Sequence, residues 1–540
     1  MKYLAIILVC ISPWVQAQFV NNTGIVMTNS ADLYTNGDWQ NSGVIRNNGK
    51  ITTSESWQNA GTMDVNSWGG FVLQYGEDKM FSAGTNSVRM GFIQKEGMAQ
   101  AVITGKVTVI DSLKILSGTI RMNSAADTLG FSSAWVYAAN GSYVDGPMAR
   151  FGAGTFSFPL GRLGQSLPIK FYNSTSSRVG VVVEAAPGGF DVGEAVESLT
   201  SFPYAWRTVK TLAADTASYV EVKVSDPLVA GVPNPIIAKK VAGLNQFEGM
   251  GSRLISSDGT NTTVRSYSRG LQGLFTIANG YAGNMLGDST ELVALYNATA
   301  GANWTNKTNW RATPVANWFG VTEKGGRVTR VIMPNNNITG SVPSTIVNMN
   351  ALKVMNVASN IITDIPDFTA LPALTTLDVS GNNLDFGSLE SNASLIGVNY
   401  VNQAPVNAPL NVEVPVNTNY QISIPVEGTN NAYRWKFKGQ EIPGAITDTY
   451  TIVGIKKATM GDYVMEITNP LVPGLVLTSS NQRVLATADI AGTMFVNPTT
   501  PASAGTMRLL KVTTTGSYDT IRVQSLNGGG AYLFDNIVLD

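Results

Sequence analysis

Three copies of one pattern decide the fold in the middle of this chain: Val328-x-x-Val331-x-Met333-x-x-Asn336-x-Ile338, Leu352-x-x-Met355-x-Val357-x-x-Asn360-x-Ile362 and Leu374-x-x-Leu377-x-Val379-x-x-Asn382-x-Leu384. The copies begin 24 and 22 residues apart. A weaker fourth copy, Leu395-x-x-Val398-x-Tyr400, follows with Gln403 in the position of the asparagine. A short apolar pattern that recurs at this period indicates a solenoid, in which each repeat buries its apolar residues against the next.

The repeats and the segment before them resemble plant-type leucine-rich-repeat proteins. Gly340-Ser341-Val342-Pro343 matches the Gly-x-Ile-Pro element that follows the asparagine in that family. The family's N-terminal cap carries a cysteine pair that this chain lacks, so aromatic packing is expected to close the end of the solenoid. The aromatic residues available for this are Trp304, Trp310 and Trp318. We therefore predict a leucine-rich-repeat domain over residues 289–404, with its cap at 289–327.

Within each repeat, the apolar residues of the pattern are expected to point inward. The recurring asparagines, Asn336, Asn360 and Asn382, are predicted to be structural, because their amides can bond backbone groups that would otherwise be buried without partners. The variable positions of each short strand face the concave side, and we predict that they bind a protein or carbohydrate partner. These candidate binding residues are Thr329, Arg330, Ile332, Lys353, Asn356, Thr375, Thr376 and Asp378.

Composition indicates several domains and a location outside the cytoplasm. The chain has 540 residues, more than one ordinary core requires. Residues 1–17 have the features of a secretory signal peptide: Lys2, an apolar run, and the small-residue cleavage site Val15-Gln16-Ala17. Basic and acidic residues nearly balance, at 36 and 37, and no basic stretch supports nucleic-acid binding. No later segment has the roughly 18 apolar residues that span a bilayer, so we predict a secreted protein, expected at a bacterial cell surface.

The mature chain, which would begin at Gln18, contains neither cysteine nor histidine, since the single cysteine is Cys10. Disulfides, thiolate nucleophiles, histidine-ligated zinc and Ser-His-Asp catalysis are therefore excluded. An all-oxygen calcium site or a carboxylate-based hydrolase is compatible with this composition. No cofactor and no metal site is predicted.

Residues 18–146 are rich in Gly, Asn, Ser and Thr and contain short apolar runs. Gly37-Asp38-Trp39-Gln40-Asn41 returns as Ser56-Trp57-Gln58-Asn59, and the two tryptophans are 18 residues apart. Strand-length pieces at this spacing fit a β-helix-like β-solenoid, although a sandwich of short strands would give a similar pattern. The two tryptophans are expected to stack inside successive coils while the two asparagines cap turns. An indole face can also stack on a sugar ring, which is the alternative.

Residues 147–285 carry runs typical of a β-sandwich, such as Tyr219 to Val224. The stretch Phe156-Ser157-Phe158-Pro159-Leu160-Gly161 resembles a segment that links a repetitive β region to a β-sandwich in large secreted bacterial surface proteins. Two arginines near turns, Arg150 and Arg162, would either bind an anion or, as is more usual for such arginines, pair with nearby carboxylates or stay solvated.

Residues 410–488 resemble an immunoglobulin-like domain. Trp435 matches that family's core tryptophan, Tyr463 its tyrosine corner and Met465 the position of its second cysteine. Ile422 or Ile424 is expected in the position of the first cysteine. Further on, the runs Arg508 to Val512 and Ile521 to Val523 precede a Gly-x-Tyr-x-Phe element that ends at Phe534. With these features, residues 489–540 resemble a carboxypeptidase-regulatory-like β-sandwich, which is expected to be partial.

These patterns together predict a mainly β, multidomain chain. Its N-terminal half is a β-solenoid followed by a β-sandwich, and a short leucine-rich-repeat solenoid, an immunoglobulin-like β-sandwich and a partial C-terminal β-sandwich complete it. The predicted function is non-catalytic recognition or adhesion. A polysaccharide-active β-helix enzyme is one alternative, but the acids of residues 19–146 are scattered in turn-like positions rather than paired. A passive stalk that displays a further C-terminal module is the other.

Overall fold

The structure is a computed structural model. It describes residues 19–540 with the exception of 65–67, 85–86, 133–134, 175–177, 201, 211–218, 252–253, 268–269, 271, 313, 494, 498–499, 502–505, 513–517, 527–530 and 539–540. The predicted signal peptide, Cys10 and Gln18 therefore lie outside the described residues. The chain forms two compact units: one extends to Asp288 and includes Thr322–Thr329, and the other contains Ser289–Val321 and Arg330–Asp540. The fold is mainly β, as predicted.

The N-terminal region, residues 19–151, is a β-solenoid rather than a sandwich of short strands. Its successive coils pair in parallel, with strand 39–41 on strand 57–59 and strand 50–53 on strand 70–74. The strands are Phe19–Asn21, Val26–Asn29, Asp32–Thr35, Trp39–Asn41, Val44–Asn47, Lys50–Thr53, Trp57–Asn59, Thr62–Met63, Gly70–Gln74, Lys79–Ser82, Val88–Glu96, Ala101–Thr104, Lys106–Ile115, Thr119–Met122, Thr128–Phe131, Trp135–Ala138, Tyr143–Asp145 and Met148–Phe151. We call this region the N-terminal solenoid.

The repeated Trp-Gln-Asn segments point their first and third side chains into the N-terminal solenoid, because side chains alternate along a strand. Trp39 and Trp57 are fully buried and stack with ring centroids 4.3 Å apart. The amide of Asn41 donates to Asn59 Oδ1 at 2.5 Å, and Asn41 Oδ1 accepts from the backbone N–H of Gly43. The predicted stacking is confirmed, and these indoles are not available to a sugar ring.

The region that follows is built from two antiparallel sheets that share a core with the N-terminal solenoid. Strand Met148–Phe151 pairs in parallel with the solenoid strand Thr128–Phe131 and antiparallel with Arg178–Ala185, so one sheet continues from coils into sandwich. The strands are Gly154–Phe158, Gly161–Arg162, Gln165–Ser166, Ile169–Ser174, Arg178–Ala185, Asp191–Val192, Ser198–Leu199, Tyr204–Lys210, Tyr219–Ser225, Pro235–Lys240, Gln246–Gly249, Leu254–Ser257, Asn261–Arg265 and Gly273–Asn279, with helix Asp226–Val229.

Both arginines singled out in this region contact the protein. The guanidinium of Arg150 lies 5.3 Å from the ring centroid of Phe131 and 5.5 Å from that of Phe156. Arg162 donates to the carbonyl of Val183 at 3.2 Å. These contacts favour the structural interpretation of the two side chains over anion binding.

The leucine-rich-repeat region begins with helix Met285–Ala298 and an aromatic cluster. Trp304 and Trp310 pack edge to face at 4.8 Å, and Trp318 lies 4.8 Å from Trp310. All three indoles are buried, which confirms the predicted aromatic packing of the cap. The region's strands are Val321–Lys324, Arg327–Ile332, Thr339–Ser341, Val354–Asn356, Ile361–Asp364, Thr376–Asp378 and Val398–Asn399; its other helices are Gly301–Asn303, Val315–Asn317, Ser344–Asn348, Phe368–Ala370 and Phe386–Leu389.

The C-terminal region, residues 410–538, consists of further sheets. Trp435 is fully buried beside Met465, its partner on the neighbouring strand, and Tyr463 Oη donates to Thr459 O at 2.7 Å. The strands are Leu410–Pro415, Tyr420–Ser423, Ala432–Phe437, Gln440–Glu441, Thr449–Ile452, Gly461–Thr468, Val476–Thr478, Gln482–Thr493, Phe495–Asn497, Thr500–Pro501, Thr506–Val512, Tyr518–Ser525 and Ala531–Val538, with helix Lys457–Thr459. Across the described part of the chain, no helix has the length and apolar character needed to cross a membrane.

Candidate functional site

The concave surface of the leucine-rich repeats is a parallel sheet built from one short strand per repeat. Arg330 pairs with Val354, which pairs with Thr376 on the next strand. Between these positions, Val331, Met355 and Leu377 point inward and are fully buried. These three buried residues belong to the apolar pattern of the sequence. Because side chains alternate along a strand, the residues on either side of them point outward.

Two rows of outward side chains cross this sheet, and we call them the concave rows. The first row consists of Arg330, Val354 and Thr376; the second consists of Ile332, Asn356, Asp378 and Asn399. Neighbouring residues in a row lie on adjacent strands, roughly 4.8 Å apart along the sheet. Each row therefore presents a mixed apolar and polar strip with little net charge.

The structure places most of the predicted binding residues on this surface. Ile332 is 39% exposed, and Thr375 and Thr376 are exposed, while the others are half-buried: Arg330, Lys353, Asn356 and Asp378. Lys353 and Thr375 lie just before their strands, at the edge of the first row.

The prediction for Thr329 is wrong, because this residue is fully buried. Its strand, Arg327–Ile332, begins earlier than the strands of the later repeats. Thr329 therefore shares the inward face with Val331, and its hydroxyl lies 3.5 Å from the carbonyl oxygen of Thr322.

Two residues of the concave rows were missed by the sequence analysis, Val354 and Asn399. Val354 is half-buried and Asn399 is exposed. Val354 occupies a variable position of the second copy and was left out of the candidate binding residues, although period-two alternation from Met355 assigns it to the outward face. Asn399 lies in the weak fourth copy, where alternation from Val398 gives the same signal.

Two polar members of the second row also hold the backbone. Asn356 Oδ1 accepts a hydrogen bond from the backbone N–H of Ala358 at 3.1 Å. Asp378 Oδ1 accepts from the N–H of Ser380 at 3.1 Å and from its hydroxyl at 2.7 Å. Such bonds to the second following residue shape the turn after a strand. Ile332, in the equivalent position of the first repeat, has an apolar side chain that cannot make such a bond.

The buried asparagines form the support under this surface. Asn360 Oδ1 accepts from the N–H groups of Asn336 and Ile338, at 2.8 and 3.0 Å. Its Nδ2 donates to the carbonyls of Met333, Val357 and Ala358, at 3.0, 2.9 and 3.1 Å. Asn360 thus links its own repeat to the preceding one, and the prediction that the asparagines are structural is confirmed.

Gln403 completes this ladder in the last repeat. Its Oε1 accepts from the N–H of Leu384 at 3.0 Å, and its Nε2 donates to the carbonyls of Val379 and Tyr400 at 3.0 and 2.9 Å. A further rung that the sequence did not reveal is Asn392, whose Oδ1 accepts from the N–H of Phe368 at 2.9 Å. These contacts give the concave rows a rigid backbone, which suits a preorganised binding surface.

Acidic residues of the N-terminal solenoid hold its turns. Asp78 Oδ1 accepts from the N–H of Gln100 at 2.8 Å, and Asp127 Oδ1 accepts from that of Gly105 at 2.7 Å. Lys79 bridges Glu55 at 2.7 Å and Glu77 at 3.8 Å, and the bond to Glu55 raises the pKa of the Lys79 ammonium. Within the described ranges, no group of three His, Cys, Asp or Glu residues is arranged to hold a metal ion.

Comparison with known proteins agrees with the repeat geometry. The family model for leucine-rich repeats matches residues 327–384, which are the first three copies of the pattern. No curated protein matches the chain. The match covers a small part of the chain and indicates a surface for protein binding or recognition at the repeats.

Proposed function

We propose that this chain is a non-catalytic, secreted or cell-surface recognition protein that binds a protein or glycan partner through the concave rows of its repeats. The observation that carries the proposal is the sheet with outward Ile332, Val354 and Thr376 over a frame that the buried asparagines hold by hydrogen bonds. An apolar centre with polar neighbours on a rigid support is the usual composition of a protein-binding patch. Adhesion at a bacterial surface is the biological role we propose for this recognition.

The modules around the repeats support an extracellular role. We include in the proposal that residues 410–488 are immunoglobulin-like and that residues 489–540 are part of a regulatory-like sandwich. Support comes from the buried Trp435 and from the bond of Tyr463 Oη to the carbonyl of Thr459, which is the contact of a tyrosine corner. The signal-like residues 1–17 support secretion.

The test uses two isoleucines of similar exposure on different faces of the same repeats. Ile332 is 39% exposed in the concave rows, and Ile361 is 44% exposed on the separate small sheet formed with Thr339–Ser341. The whole chain from Gln18 is screened against purified extracellular-matrix proteins and a glycan array. For any partner found, we expect Ile332→Arg to weaken binding at least about tenfold, because a charge would be buried in the contact, and Ile361→Arg to leave it within about twofold.

Equal effects of the two substitutions would contradict binding through the concave rows. Failure of the whole chain to bind any member of either panel would favour the passive stalk. Turnover of a polysaccharide by the purified chain would replace the proposal by the enzyme alternative.

A further inference from the structure

One strand of the N-terminal solenoid has an edge that no strand of the described residues occupies. Strand Trp135–Ala138 pairs in parallel with residues 112–115 of the long strand Lys106–Ile115. On its other side, the described part of the chain supplies no pairing strand. An exposed edge carries backbone donors and acceptors that can pair with another chain.

The register shows which backbone groups face this open side. Ala139 donates its N–H to the carbonyl of Ile115 at 2.8 Å, and Tyr137 is the register partner of Lys114. In a parallel ladder, alternate residues bond the same neighbour, so positions 135, 137 and 139 bond the long strand. The N–H and C=O groups of Val136 and Ala138 are therefore directed to the open side.

A cavity lies next to these two residues. It has a volume of about 240 Å³, and Val136 and Ala138 form part of its wall together with Ser157, Ser166, Asn261 and Lys223. This volume is below the range of pockets for drug-sized ligands, so it suits a single side chain. The lining combines small apolar groups with hydroxyl and amide groups.

The opposite face of the same strand carries two exposed aromatic side chains. Trp135 is 59% exposed and Tyr137 is 43% exposed, and their rings stack with centroids 5.7 Å apart. The Nζ atom of Lys114 lies 5.6 Å from the Trp135 ring centroid. Exposed aromatic side chains of this kind are frequent anchors in binding sites.

Charge selects the partner. Lys114 lies on the aromatic face, and Lys223 lines the cavity, where its ammonium group also pairs with Asp258 at 2.9 Å. Among the described residues that line the cavity, none carries a carboxylate. Because Lys223 is already paired with Asp258, the cation that a partner meets is Lys114 on the aromatic face. A segment with acidic side chains on that face is thus the complementary one.

We propose that this edge binds an extended, acidic segment of another protein, which adds a strand beside Trp135–Ala138. Its backbone pairs with Val136 and Ala138. Alternate side chains then point to opposite faces, so one set reaches the cavity and the other packs against Trp135 and Tyr137. Backbone pairing, a pocket and an aromatic anchor are the three components of recognition by strand addition.

Linear random peptides displayed on phage and selected on the whole chain from Gln18 provide the probe, and the best binder is synthesised. Val136→Pro removes the backbone N–H of residue 136, which would donate to the partner strand. It leaves the hydrogen bonds to the long strand in place, and proline is tolerated at such edge positions. Val20→Pro is the matched control, because Asn21 O accepts from Ser42 N, which directs the N–H of Val20 away from strand Trp39–Asn41. Trp135→Ala is matched by Tyr34→Ala, an aromatic residue that is 64% exposed on the first coil.

We expect Val136→Pro and Trp135→Ala each to weaken peptide binding about tenfold, and both controls to leave it within about twofold. Lys114→Glu should weaken binding by a smaller factor, and the affinity of this variant should depend less on salt concentration than that of the wild type. N-methylation of every second amide of the peptide should abolish binding in one frame and spare it in the other, because only alternate amides face the edge.

Several results would overturn this proposal. They are peptide binding that is insensitive to Val136→Pro, equal loss with both N-methylation frames, and the absence of any selected peptide that depends on Trp135. Binding of a polysaccharide that is lost in Trp135→Ala but kept in Val136→Pro would assign the site to glycans instead. Self-association of the chain that is lost in Val136→Pro would assign the edge to a second copy. Far-UV circular dichroism of each variant establishes that the fold is intact.

Discussion

The N-terminal solenoid and the leucine-rich repeats both stack parallel coils on buried asparagines, but the two ladders are connected differently. In the N-terminal solenoid the amides bond one another as well as nearby backbone groups: Asn21 donates to Asn41 Oδ1 at 2.7 Å, and Asn41 donates to Asn59 Oδ1 at 2.5 Å. In the repeats the amides bond backbone groups, and Asn360 alone makes such bonds to five different residues.

This difference decides what each asparagine supports. In the N-terminal solenoid, each coil already pairs with the next through the backbone of up to three strands. The hydrogen bonds between asparagine side chains add to this backbone pairing. In the repeats, each turn contributes one short strand to the concave sheet, and the irregular return segments depend on the asparagine for their hydrogen bonds. Asparagine therefore supplements the backbone hydrogen bonds of the N-terminal solenoid, whereas in the repeats it is needed to complete them.

Replacement of one asparagine in each ladder should have the largest effect and the clearest asymmetry. Asn360→Leu removes the acceptor of two backbone N–H groups and the amide donor to the carbonyl of Met333, while the carbonyls of Val357 and Ala358 keep bonds from other donors. We expect it to lower the local free energy of unfolding by about 5 kcal/mol. Asn41→Leu should cost about 2 kcal/mol, because its strand keeps its backbone ladder.

Reporter cysteines measure these local free energies. Cys10 is the only cysteine in the sequence, so a chain that starts at Gln18 can carry one new thiol. Ala83→Cys reports on the N-terminal solenoid and Ala351→Cys on the repeats, and both sites are 1% exposed. The rate of thiol labelling then gives the local opening equilibrium. Equal losses in the two regions would contradict the proposed asymmetry.

The next effect in size concerns the tryptophans that fill the two regions. No acceptor among the described residues bonds the buried indole N–H of Trp57, whereas Trp310 Nε1 donates to the carbonyl of Phe319 at 3.0 Å. Trp310→Phe loses packing and leaves a carbonyl unpaired, so we expect it to cost about 3 kcal/mol. Trp57→Phe loses similar packing but removes an unpaired donor, so we expect it to lower the free energy of unfolding by about 1 kcal/mol. The same reporter cysteines measure both, and a larger loss for Trp57→Phe would contradict this account.

The sequence predicts the parts of both regions that recur. Trp39 and Trp57 could be assigned to a stack, and Asn360 to a structural role, because each returns at a fixed spacing. Thr329 was misassigned because the strand boundary that decides its direction varies between repeats, and Val354 was omitted although its neighbour Met355 places it on the outward face.

Contacts between distant segments leave no periodic signal. The sheet that runs from Thr128–Phe131 through Met148–Phe151 to Arg178–Ala185 is of this kind, since its last pairing reverses direction. The open edge at Trp135–Ala138 is likewise defined by the absence of a described neighbour, which a local pattern does not encode. Burial of Lys95 is a further example, because a lysine in a strand is normally expected on the solvent side.

Lys95 gives the two regions different pH dependence. It is fully buried in the N-terminal solenoid and donates to the carbonyls of Glu96 and Gly97 at 2.6 and 2.7 Å. Burial lowers the pKa of its ammonium from 10.5 to about 8. Between pH 8 and 10.5 the unfolded chain keeps the proton that the folded chain releases, so the free energy of unfolding rises with pH in this window.

We expect Lys95→Met to remove this rise, which amounts to about 3 kcal/mol at most. The difference between wild type and variant, read through the thiol at position 83, should grow from pH 8 upward, and the thiol at position 351 should show none. Burial raises the pKa of the Tyr75 hydroxyl, which lowers stability above pH 10, but this contribution is the same in both proteins and cancels. A difference that is constant from pH 8 to 10.5 would contradict the role of Lys95.

The smallest effect tests how the repeat ladder ends. Gln403 is half-buried and its amide reaches one N–H and two carbonyl groups from the position that asparagine occupies in the earlier repeats. We expect Gln403→Asn to cost about 1–2 kcal/mol at the thiol of position 351, because the shorter side chain loses this reach while solvent replaces part of the bonding. Gln403→Leu should cost slightly more, since it removes all three bonds. If Gln403→Asn is instead neutral, the last turn adapts to the shorter amide and the backbone of the final repeat is less rigid than that of the first three.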